Sequence, residues 1–84
     1  MAQALSELRN LGPVTQAMLI EAGIADADAL RAVGAAVAYR RLKFVFGRRV
    51  SLNALYAMDA ALAGCDWRNV PAERKAALRA EAGC

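Results

Sequence analysis

LRNLGPVTQAMLIEAGI, residues 8–24, packs a turn, a helix start and a helix stop into one short stretch. Gly12 allows a tight turn, and Pro13 suits the first position of a helix, where its missing N–H is not needed. VTQAMLIEA continues that helix, with Val14, Ala17, Met18 and Ala22 available for one face. Gly23 is suited to the left-handed residue just past a helix, and Ile24 to the apolar residue beyond it, together a Schellman-type stop. Ahead of the turn, AQALSELRN carries Leu5 and Leu8 at i, i+3 spacing, which predicts a further short helix.

The same punctuation divides the rest of the chain into helices. Asp26 can cap the next one, Asp28 adds an acid to its first turn, and Gly34 ends it after the inward-facing Leu30 and Val33. From Ala35 to Phe46, Val37 or Ala38 followed by Leu42, Val45 and Phe46 predicts an apolar face opposite Arg40 and Lys43. Ser51 is the natural cap for LNALYAMDAALAG, the most apolar stretch, whose few polar positions, Asn53 and Asp59, can reach neighbouring loops. Asp66 can cap a single turn, Trp67 offers an anchor, and Pro71 and Glu73 open a last helix that reads as an outer one. No strand-like alternation occurs. The pattern predicts an all-α fold, a compact bundle of about five short helices with a helix-hairpin-helix-like element.

With 84 residues the chain fits one small domain spanning 1–84, and 58% hydrophobic residues suffice for an alanine-rich core. No apolar run approaches the roughly 18 residues of a membrane span, and the N-terminus lacks a signal-peptide core. A cytoplasmic protein is expected, with no membrane partner. The sequence contains no histidine, which excludes the Ser/His/Asp and Cys/His nucleophile pairs and zinc sites with imidazole ligands. Its eight acids are scattered, so no acid/base pair emerges. Of the two cysteines, Cys65 reads as a small buried hydrophobe and Cys84 as a free tail thiol. No enzyme activity, cofactor, metal or small-molecule substrate is expected.

The net charge is only +3, but its distribution is uneven. No acid occurs between Asp28 and Asp59, whereas Arg31, Arg40, Arg41, Lys43, Arg48 and Arg49 all fall there. Such a segment suits an anion-binding surface, or else a set of solvated side chains whose stems cover an apolar core.

Two places look able to hold phosphate. At the turn, the amides of Val14, Thr15 and Gln16 point outward beside Gly12, the Thr15 hydroxyl is at hand, and Arg9 can supply charge. In FGRRVSLN, residues 46–53, Arg48 and Arg49 precede a helix start, where cations oppose the partial positive charge of the free amides. An anion held by those amides, the Ser51 hydroxyl and both guanidiniums reverses that penalty. Alternatively, both arginines simply point into water, where salt screens the cost.

The turn is similar to a helix-hairpin-helix element, whose family members grip the nucleic-acid backbone without reading bases. Val14 stands where the usual hairpin has its second glycine. Read together, LRNLGPVTQAMLIEAGI, DALRAVGAAVAYRRLK and VSLNALYAMDAALAGCDWRNVPAERKAAL resemble, in order and spacing, the C-terminal domain of the TfoX/Sxy regulators of natural competence. The resemblance rests most on Ser51-Leu52-Asn53, Leu55-Tyr56, Ala61-Leu62 with Gly64, Trp67-Arg68, and the Glu73-Arg74-Lys75 run after Pro71. It implies an all-helical domain tied to transcriptional control of DNA uptake. Full-length regulators of that type carry a mixed α/β domain in front, so this chain is expected to be a stand-alone version or an excised fragment.

The sequence therefore supports two functional expectations. In the first, duplex DNA is bound without sequence preference through Arg9, Gly12, Val14, Thr15, Gln16, Arg40, Arg41, Lys43, Arg48, Arg49 and Ser51. In the second, Tyr56, Met58 and Trp67 form a docking surface for a regulatory protein or for a second copy as a homodimer.

Overall fold

The computed structural model describes residues 4, 5, 8, 11–64 and 69–83. Five α-helices run in order: α1 Pro13–Glu21, α2 Ala27–Val33, α3 Ala35–Phe46, α4 Leu52–Ala63 and α5 Ala72–Glu81. A 3-10 turn, Gly47–Arg49, joins α3 to α4. Among the described residues there is no strand, and no helix is long and apolar enough to cross a membrane.

Local chemistry sets the boundaries. The Ile24 amide donates to the Leu19 carbonyl at 2.8 Å and the Gly23 amide to Ile20 at 3.1 Å, the paired bonds of a Schellman stop, with Gly23 at φ 89°. Two residues on, the Asp26 carboxylate accepts from the Ala29 amide at 2.8 Å and starts α2. Gly34, at φ 83°, is at once the last cap of α2 and the first of α3, so the chain turns between them on one residue. Pro71 lies just ahead of α5 as its N-cap rather than inside its first turn.

The core is one cluster around α3, which touches each of the other four helices. Leu19, Ile24, Leu30, Leu42, Leu55, Met58 and Leu78 are its large, fully enclosed side chains. Each removes enough apolar surface from water to contribute about 1.5–3 kcal/mol before entropy is counted. Leu5, Leu8 and Leu11 close it from the N-terminal side. The helix expected over residues 2–10 lies mostly outside the described residues.

Burial corrects three expectations. On α1 the buried side chain is Leu19, while Val14 and Ala17 are exposed and Met18 and Ala22 half-buried. That helix is apolar on nearly every side, so spacing alone did not select its inner face. On α3 the core receives Ala35, Ala38, Tyr39 and Leu42, leaving Val37 and Val45 in solvent and Phe46 partly covered. On α4, Met58 has no exposed surface and Tyr56 is buried, which removes both from any docking surface. Asp59 reaches the next helix rather than a loop, forming two hydrogen bonds with Arg74 at 2.7 and 3.2 Å.

Candidate nucleic-acid interface

The starts of α1 and α4 face the same cleft. Val14, Thr15 and Met18 of α1 line it together with Ser51, Asn53 and Ala54 at the start of α4, Arg49 of the 3-10 turn and Leu42 of α3. The cleft has a volume of about 310 Å³ and no carboxylate among its lining residues. Helices remote in sequence thus present their electropositive ends to one space, through the packing of both against α3.

Each start leaves amides without a cap. Gly12 precedes α1 in an extended conformation and offers no side chain, and Pro13 has no N–H to satisfy. At α4 the Ser51 side chain makes no capping hydrogen bond, although its carbonyl accepts from Ala54 at 3.0 Å. No acid lies in the first turn of either helix. Such ends attract negative oxygens through both free N–H groups and the helix dipole. Gln16 is spent differently from the sequence expectation. Its amide donates to the Gly12 carbonyl at 3.0 Å and its side chain to the Leu11 carbonyl at 2.8 Å, so it braces the turn. Val14 and Thr15, just ahead of it on the chain, line the cleft itself.

The basic residues divide between two surfaces. Arg49 lies over the Phe46 ring, 5.6 Å from its centroid, which steadies the guanidinium at the cleft. Arg48 is exposed on the same 3-10 turn. Lys43 is over the Tyr39 ring at 5.9 Å. Arg40 and Arg41 line a different groove with Val37, Phe44 and Val45, on the outer side of α3. A residue advances 100° around a helix, so Arg41 and Phe44 cannot share the inward side taken by Ala38 and Leu42. Arg9 and Trp67, also expected in functional surfaces, lie outside the described residues, as do Cys65, Asp66 and Cys84. Among the described residues no three His, Cys, Asp or Glu side chains gather closely enough to hold a metal ion.

An all-helical domain is the class that this architecture defines. The TfoX C-terminal domain model matches residues 1–82, and the chain belongs to that family. The fold is similar to a triclinic crystal structure of an uncharacterized protein from Listeria monocytogenes, at 35% identity and TM-score 0.83, over 89% of this chain and 84% of that one. A tetragonal crystal structure of a Listeria monocytogenes protein of unknown function is similar at 34% identity and TM-score 0.85, over 92% and 94% of the respective chains. No curated protein matches the chain.

Proposed function

We propose that this domain is a non-enzymatic accessory in transcription or competence control that holds duplex DNA by its backbone phosphates. The observation carrying this reading is the convergence of two uncapped helix starts and Arg49 on one acid-free cleft. A phosphate there meets the Val14 and Thr15 amides on one side and the Leu52 helix start and Ser51 hydroxyl on the other. Arg49 supplies a charge-assisted contact, and Arg48 approaches from the rim. None of these groups reads a base edge, so binding is weak and indifferent to sequence.

Titration of a labelled duplex with the protein across a salt series tests this. Neutralising about four phosphates gives a log–log slope of about −3.6, and Arg48→Ala/Arg49→Ala flattens that slope and weakens binding about tenfold or more. Absence of binding at low salt, or a salt-independent affinity, would refute the proposal.

A further inference from the structure

The outer side of α3 carries a second surface that the phosphate cleft does not use. Phe44 is 93% exposed, Val45 51% and Val37 41%, and together with Ala22 at the end of α1 they line an open groove of about 570 Å³. Val37 and Phe44 are about two helical turns, roughly 10 Å, apart along α3, a length that suits a helix laid alongside. Arg40 and Arg41 line the same groove beside these apolar side chains. Neither guanidinium has a carboxylate within ion-pair distance among the described residues, and Asp and Glu are absent from residues 29–58.

We infer that this groove docks an acidic amphipathic helix of a partner protein, its apolar stripe on Val37, Phe44 and Val45 and its carboxylates on Arg40 and Arg41. Charge complementarity selects the occupant. A second copy meeting this face across a two-fold axis would bring Arg40 and Arg41 against themselves, a like-charge contact that costs binding. Backbone phosphates satisfy the arginines but leave the Phe44 ring and the valines with no apolar partner. An acidic helix with an apolar stripe satisfies both kinds of group at once.

The test uses the full chain and a labelled synthetic helix with leucines on one stripe and glutamates beside it, followed by fluorescence anisotropy. Binding is expected to weaken about tenfold or more in Phe44→Ser and again in Arg40→Glu/Arg41→Glu. A lysine-for-glutamate version of the helix should bind only that charge-reversed variant. Both substitutions are at exposed positions, and thermal unfolding verifies that the fold is kept. Arg48→Ala/Arg49→Ala should leave the helix titration unchanged, which separates this surface from the phosphate cleft. Failure of the acidic helix to bind, equal binding of its lysine version, or indifference to Phe44→Ser overturns the inference. So does a Phe44-dependent interaction with single-stranded DNA, with anionic phosphatidylserine vesicles or with a second copy of the chain, since each assigns the groove to a different occupant.

Discussion

Val14 shows most directly how one residue separates stability from binding. It is 69% exposed at the second position of α1, so its side chain adds little to the core. α1 begins with no acid in its first turn, and its dipole therefore faces the cleft uncompensated. Val14→Glu places a carboxylate at that end and should stabilise the fold by about 0.3–1 kcal/mol. In a domain this small, that amounts to a rise of about 2–6 °C in the unfolding midpoint. The same carboxylate stands at the proposed phosphate position and repels an anion there, so duplex affinity should fall several-fold. Calorimetry and duplex titration on one sample check both signs. A gain in stability without a loss of binding would show that the α1 start is not where the phosphate lies.

At the scale of elements, the seam between α4 and α5 is held by side chains one turn apart on each helix. The Tyr56 hydroxyl accepts from Arg79 at 2.9 Å, and the Lys75 ammonium lies over the Tyr56 ring, 5.2 Å from its centroid. The hydrogen bond to Asp59 raises the Arg74 guanidinium's pKa above its ordinary value; desolvation opposes it, and the nearby charges of Asp59 and then Glu81 add smaller upward pushes. A raised pKa on a base gives stability that is complete below the unfolded value and lost only above the folded one. Both lie far into the alkaline range, so the Arg74 term is flat across neutral pH. Tyr56→Phe leaves Arg79 without its acceptor and should cost about 0.5–1.5 kcal/mol. Arg74→Ala removes a half-exposed pair and should cost only about 0.2–1 kcal/mol, a loss that shrinks with added salt. Urea titrations at low and high salt distinguish the two. The chain announced these elements through local signals: Gly23-Ile24 and Asp26 fix boundaries by bonds to residues a few positions away. Inner faces were harder to read, because α1 and α3 carry apolar residues on more than one side and only packing selects Leu19 and Tyr39. Residues 14 and 15 and, separately, Arg49 and Ser51 were singled out by the sequence as two unconnected helix starts, and all four line the one cleft. Their meeting depends on how α1 and α4 dock, which no local spacing records.

For the molecule as a whole, the question is whether DNA would be attracted by total charge or by where the charge stands. The Cα radius of gyration is 11.5 Å, so charges on opposite faces are separated by well over the Debye length of roughly 8 Å at physiological salt and are largely screened from one another. Arg31 and Arg74 are each paired with an acid, Asp28 at 3.2 Å and Asp59 at 2.7 Å, and neither lines the cleft. Arg31→Gln/Arg74→Gln lowers the net charge of +3 by the same two units as Arg48→Ala/Arg49→Ala. If placement governs binding, the first pair of substitutions should change duplex affinity less than about twofold at physiological salt and the second about tenfold or more. The difference should narrow as salt is lowered, because the Debye length then approaches roughly 30 Å and every charge on the molecule contributes to steering. Equal losses from both variants at physiological salt would mean that the domain acts as a diffuse cation, and that the converging helix starts hold no phosphate of their own.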